Sequence, residues 1–353
     1  MAVDVLLLLV GLGGLTVGGS LLVTGAAGIG LRFGLAPAVV GLTIVAAGTS
    51  APELAVTGQA VASGDSALAV GGVIGSNIAN ILLVLGVAAL MGTITVASRV
   101  VRLDVPLMVA ASVAFALAAL DGELGRVDGA ILVVALVGFV WWTMRSSAGG
   151  DVAEEVPDEP GPLWRTLAEL VGGLAVLVVA ARVVVANAES LAVDLGVPEL
   201  VVGLTVVALG TSAPEIATTV IAARRGEQDL AVGNAVGSNI FNVLMVLGLP
   251  ALLAGIEVDE AARSLDLPIM VAVAVACLPI IAYNHRLDRW EGLVFVAYYA
   301  AYLTYLALDA TDHATTDGFG FVMVVFVVPL TALTVATVAW RERRHLADRR
   351  ARP

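Results

Sequence analysis

The chain has 353 residues and a formal charge of −12, yet 59% of its residues are apolar and only 14% are charged, against roughly a quarter charged in a soluble domain. With a mean hydropathy of +0.99, that balance excludes an ordinary acidic soluble enzyme. One cysteine, Cys277 inside an apolar run, excludes a disulfide framework or a Cys-based metal site, and three histidines outside the apolar runs exclude a His-rich metal site within the membrane.

The charges fall between long apolar runs, and a bilayer core of about 30 Å takes roughly 20 helical residues. In chain order, spans are predicted over 4–30, 37–62, 67–91, 105–120 and 128–145. The first lacks a basic leader and reads as a retained helix. The one long polar interruption, Ser146–Pro162 (SSAGGDVAEEVPDEPGP), is an acidic linker. Spans then resume over 164–194, 198–223, 230–254, 267–283, 290–308 and 319–340, followed by an arginine-rich tail. The expected class is an all-α polytopic membrane protein. Its predicted units are a five-helix repeat (1–145), a linker (146–163), a second five-helix repeat (164–308), and an extra helix with a basic tail (309–353).

All 18 basic residues are arginine. With eleven spans the connections alternate sides. One side gathers Arg32, Arg99, Arg102, Arg145, Arg165, Arg224, Arg225, Arg286, Arg289 and the six tail arginines; the other holds Arg126 and Arg263. The arginine-rich side is expected in the cytoplasm. The N-terminus then lies outside a cell membrane, with linker and tail inside. The arginines read as orientation signals, so no nucleic-acid partner is expected; the lipid bilayer is the surrounding phase.

The halves are related. Gly41–Gly86 (GLTIVAAGTSAPELAVTGQAVASGDSALAVGGVIGSNIANILLVLG) aligns without a gap to Gly203–Gly248 (GLTVVALGTSAPEIATTVIAARRGEQDLAVGNAVGSNIFNVLMVLG), at a constant offset of 162. The register continues into Leu103-Asp104-Val105-Pro106 and Leu265-Asp266-Leu267-Pro268. Five spans per copy is an odd number, so the second copy enters the membrane inverted. Inverted repeats are characteristic of secondary transporters, whose substrate sits near the midplane where the halves meet.

Deep in the apolar spans the only ionisable residues are Glu53, Glu215 and Arg182. A charge at mid-bilayer costs at least about 2.5–3.5 kcal/mol, so two acids at equivalent positions call for a compensating ligand. Each follows a proline in Gly48-Thr49-Ser50-Ala51-Pro52-Glu53 or Gly210-Thr211-Ser212-Ala213-Pro214-Glu215. Proline lacks an N–H and clashes with the carbonyl four residues back, so the helix should break there, freeing carbonyls beside hydroxyls and a carboxylate. Such oxygens suit hard cations: Ca²⁺, Mg²⁺ or Na⁺. The next span adds Ser76 and Asn80, and its copy Ser238 and Asn242, each pair four residues apart on one helix face. A packed kink accounts for one such motif but poorly for two. Asp104 and Asp266 are expected to cap helices at the membrane edge. Arg182, opposite Ser20 in the repeat, is expected to snorkel or to pair with Glu189.

These motifs resemble the two alpha-repeats of the calcium/cation antiporter superfamily, in particular its prokaryotic sodium/calcium exchanger branch, over residues 1–308. The resemblance implies ten helices in two inverted halves and four ion sites clustered at mid-membrane. It implies that Ca²⁺ and Na⁺ are bound as transported ions, with no cofactor and no enzymatic activity. The implied ligands are Ala46, Thr49, Ser50, Glu53, Ser76 and Asn80 from the first half, and Ala208, Thr211, Ser212, Glu215, Ser238 and Asn242 from the second. The alanines would contribute backbone carbonyls, and the glutamates would bridge Ca²⁺. Some exchangers of the family carry aspartate where this chain has Asn242, so the cluster here holds two formal negatives. The proton/calcium branch typically carries asparagine where this chain has Thr-Ser before Pro-Glu, which favours Na⁺ over H⁺ as counter-ion. The resemblance also implies that the first helix of each half slides over a static core.

Overall fold

The computed structural model describes residues 1–147, 162–195, 210, 212–282, 285–309 and 329. The eleventh span, the tail, most of the linker, and most of 198–223 up to the second proline motif lie outside the described residues.

The first helix, α1 (Ala2–Phe33), ends at Gly34, whose φ of 64° is a left-handed conformation that glycine adopts without strain. A proline in the first turn starts α2 (Pro37–Thr49), which meets α3 (Ala51–Ala62) at a 42° bend. The Asp65 side chain accepts from the Leu68 amide at 3.0 Å and caps α4 (Ser66–Met91). Then come α5 (Val100–Asp121) and α6 (Arg126–Ser147). The second half comprises α7 (Leu163–Asp194), α8 (Ala213–Arg224), α9 (Gln228–Ala254), α10 (Ala262–Ala282) and α11 (Arg289–Asp309). Seven of these helices are long and apolar enough to cross a membrane alone, and the bent pair α2–α3 makes an eighth span. The chain is a polytopic helical membrane protein.

Helices α5 and α10 begin five residues earlier than predicted, because π-helical turns (Val100–Asp104 and Ala262–Asp266) precede Pro106 and Pro268. Asp104 is therefore not a cap. The helix runs through it, its carboxylate is fully buried, and Arg99 Nε lies 3.8 Å away. Asp266 instead accepts from the Tyr302 hydroxyl at 3.5 Å.

Four two-residue strands interrupt the helical pattern, and they fix the relation of the halves. Ile94–Thr95 (β1) precedes α5 and Glu123–Leu124 (β2) follows it; Ile256–Glu257 (β3) precedes α10 and Arg286–Leu287 (β4) follows it. β1 pairs antiparallel with β4, and β2 with β3. The start of α5 thus sits at the end of α10, and the end of α5 at the start of α10. Since α5 and α10 are repeat equivalents, the repeats are inverted. The bridges continue symmetrically: Val96 N–H donates to His285 O, and Val258 N–H donates to Gly122 O, both at 2.8 Å.

Among the described residues the buried apolar side chains form two clusters. The larger is built from the broken helices, α4 to α6 and α9 to α11. The smaller joins α1 and α7 to one side of it. These two helices run antiparallel and nearly in contact: a Cβ on Gly18 would lie 2.7 Å from Leu177 N, and one on Gly11 2.7 Å from the Val184 side chain. Lipid supplies no hydrophobic force between helices, so small residues that admit close backbone approach hold such a pair together.

Candidate cation site

Proline at position 52 prevents α2 from continuing, and Ser50, at φ −82° and ψ −2°, forms the break. In the second copy Ser212 (φ −89°, ψ 3°) precedes α8 in the same way. Glu53 and Glu215 therefore stand in the first turns of α3 and α8, at helix ends whose unpaired N–H groups favour negative charge. Both are buried, at 5% and 0% exposure.

The π turns supply the other wall. Asn80 and Asn242 each open one (Asn80–Leu85, Asn242–Leu247) inside α4 and α9. The packing is crossed: α3 with Glu53 rests on the turn begun by Asn242, and α8 with Glu215 rests on the turn begun by Asn80. Ser76 and Ser238 are buried one helical turn earlier. The Thr49 hydroxyl of the first half lies 3.3 Å from Ser238 Oγ of the second. The Ala46 carbonyl accepts from the Ser50 amide at 2.9 Å and the Thr49 hydroxyl at 3.4 Å. Ala208 and Thr211 lie outside the described residues.

Both carboxylate oxygens of Glu53 and Glu215, the hydroxyls of Ser50 and Ser212, and the side-chain amides of Asn80 and Asn242 are buried without a hydrogen-bond partner among the described residues. A neutral buried group left this way costs about 1–3 kcal/mol, and a charged one more. Orphaned groups are normally scattered and few; here they converge from both halves, and most are oxygens. That donor set is what a hard cation takes in exchange for its water.

Sequence reasoning missed a second polar shell. Asn234 Oδ1 accepts from the Thr49 hydroxyl at 3.3 Å, and Asn234 Nδ2 donates to Thr219 Oγ1 at 3.0 Å. The available signal was symmetry: position 72, its repeat equivalent, is glycine. Asn77 and Asn239 each donate to a methionine sulfur of the opposite half, Met270 and Met108, at 3.5 Å. Those methionines are themselves 162 residues apart, so the crossing is reciprocal.

A cleft of about 240 Å³, lined among others by Pro52, Glu53, Arg182, Glu189 and Pro214, separates α7 from α3. It follows the part of α7 that ends at Asp194, whose carboxylate lies 3.6 Å from the Met1 amino group. The symmetry-related pair, α1 and α8, is closed. Gly19 abuts the Ile221 side chain, and Arg225 Nη1 donates to Ser20 O at 3.2 Å and Thr24 Oγ1 at 2.8 Å. Among the described residues Arg182 forms no ion pair with Glu189, contrary to the expected pairing. Both are exposed and share the cleft.

Comparison with known proteins gives a consistent result. A family model described as "Sodium/calcium exchanger protein" matches residues 3–145 and again 166–308. The "Putative antiporter CaxA" of Alkalimonas amylolytica is 37% identical over 312 residues, 86% of this chain and 98% of that protein. The "Sodium/calcium exchanger MaX1" of Methanosarcina acetivorans is 31% identical over 346 residues, 87% and 99% of the two chains. Among solved structures, the sodium-calcium exchanger NCX_Mj soaked with 10 mM Na⁺ and zero Ca²⁺ superposes with a TM-score of 0.75. It is 27% identical, and the match covers 86% of this chain and 99% of that one.

Proposed function

The chain belongs to the sodium/calcium exchanger protein family, and on that premise we propose that it exchanges Ca²⁺ for Na⁺ across the cell membrane. A membrane antiporter for cations including Ca²⁺ is the coarser statement, and it follows from the family. Na⁺ as the coupling ion is the finer one. One observation carries it: two buried carboxylates from inverted halves, near hydroxyl and amide oxygens that have no partner among the described residues. Two negatives balance one Ca²⁺, and the neutral oxygens suit Na⁺ equally well.

Antiport needs an empty site that does not change sides. Two uncompensated carboxylates provide that barrier, because burying unpaired charges during occlusion is costly. Bound Ca²⁺ or Na⁺ removes the cost. The glycine-packed pair α1–α7, joined to the core through its own smaller cluster, is the element that moves in this account. The open cleft along α7 and the closed seam between α1 and α8 are two positions of the same device seen at once. With the arginine bias as guide, the cleft faces the cell exterior.

Flux in proteoliposomes separates Na⁺ from H⁺ coupling. ⁴⁵Ca²⁺ uptake should follow an opposing Na⁺ gradient and disappear when that gradient is collapsed. A pH gradient of equal driving force should not replace it. Uptake driven by the pH gradient alone would make the chain a Ca²⁺/H⁺ antiporter on the same fold, and uptake without any counter-ion would make it a channel.

A further inference from the structure

The two halves match closely in the site-forming segments, so a residue that breaks the match beside the site makes one passage differ from the other. Arg182 is such a residue. It lies within an apolar span, and its repeat equivalent is Ser20. It shares the cleft with Glu53 and forms no ion pair among the described residues. The remaining cleft wall includes Val56, Val178, Val185 and Ala186, and apolar walls focus the field of a charge along a cleft rather than screen it. Ser20 itself carries no charge and lies on the sealed side, where its carbonyl accepts from Arg225 at the end of α8.

We propose that Arg182 is a specificity-determining residue of the exchanger: a positive charge on the wall of the open cleft, which lowers cation affinity there according to the valence of the ion. This rests on the functional reading above. The physical basis is Coulombic. Each elementary charge brought to the glutamates meets the same repulsion from the guanidinium, so a divalent ion is penalised twice as much in free energy as a monovalent one. On the side where Ca²⁺ has to leave, such a charge promotes its release and its replacement by Na⁺. It leaves the overall equilibrium, which the two ion gradients set, unchanged.

The test is equilibrium binding of Ca²⁺ and, separately, of Na⁺ to the purified full chain in nanodiscs, at low and constant ionic strength. Arg182→Gln should tighten Na⁺ binding roughly three- to fivefold per ion, the order expected of one unit charge acting across a cleft. It should tighten Ca²⁺ binding by the square of that factor, roughly tenfold or more. Arg182→Lys, which keeps the charge, should restore wild-type values for both ions. Arg182→Met also removes the charge but suits an apolar span, and should give the same shifts as Arg182→Gln. It keeps the proposal testable should the glutamine variant fold poorly.

Unchanged affinities in Arg182→Gln, equal shifts for both ions, or weaker binding would overturn the proposal, and so would failure of lysine to restore them. A wild-type chain that binds neither ion would instead overturn the functional reading.

Discussion

Replacing Glu53 by Gln is expected to abolish Ca²⁺ exchange while leaving the protein folded, and Glu215→Gln should do the same. Glutamine keeps the size and one carbonyl oxygen but removes one of the two charges that would balance Ca²⁺ in the proposed site. Deleting one partner of a buried charge pair costs about 3–5 kcal/mol, which corresponds to a loss of Ca²⁺ affinity of between roughly 10²-fold and several thousand-fold. The folded state should not suffer. Both carboxylates are buried and neither has a hydrogen-bond partner among the described residues, so replacing one by a neutral amide relieves a desolvation cost that the cation-free protein bears. The signature is a change in ligand-dependent stability. Ca²⁺ at a hundred times its dissociation constant stabilises a protein by about 2.7 kcal/mol. That increment should be present in the wild type and absent from both variants, while their Ca²⁺-free melting temperatures stay equal or rise. Near-normal ⁴⁵Ca²⁺ uptake by Glu53→Gln would remove that residue from the mechanism.

The second large effect lies away from the ions. A Cβ on Gly173 of α7 would stand 2.8 Å from the Gly18 carbonyl oxygen and 2.9 Å from Leu22 Cα, both backbone atoms of α1 that no rotamer change can move. Gly172, one residue earlier, has nothing within 4 Å of such a Cβ. Gly173→Val should therefore force α1 and α7 apart. The expected cost is about 3 kcal/mol, the upper end for overpacking, and transport should be lost because the two helices no longer move as a pair. Gly172→Val should alter neither melting temperature nor flux. The adjacent pair of substitutions controls for hydrophobicity, depth and helix propensity together. Equal behaviour of the two would mean that the α1–α7 contact matters neither for stability nor for exchange.

What the sequence made legible follows from which forces act locally. Proline at position 52 has one effect on a helix wherever it occurs, so the break at Ser50 was readable. Glu53 and Glu215 stood out because a charge within apolar residues is costly in any membrane. Inversion followed from an odd number of spans, and the crossed β1–β4 and β2–β3 pairs give it in three dimensions. The π turns were not readable. Nothing in the local pattern at Asn80 or Asn242 distinguishes one from an α-helix; the packing of α3 and α8 against them does. Asp104 looked like a cap because Asp before Val-Pro commonly is one, but the π turn draws the helix start back past it and buries it near Arg99. Asn234 passed unremarked because its role depends on Thr49, 185 residues earlier in the chain.

The central claim is that a cation is held between the two glutamates of the inverted halves. Strontium substitutes for calcium chemically and scatters anomalously, so crystals of the full chain soaked in Sr²⁺ test it most directly. The account predicts an anomalous peak within coordination distance of carboxylate oxygens of both Glu53 and Glu215, displaced when Na⁺ is raised and absent from Glu53→Gln crystals. A peak elsewhere, or none between the carboxylates at saturating Sr²⁺, would contradict it.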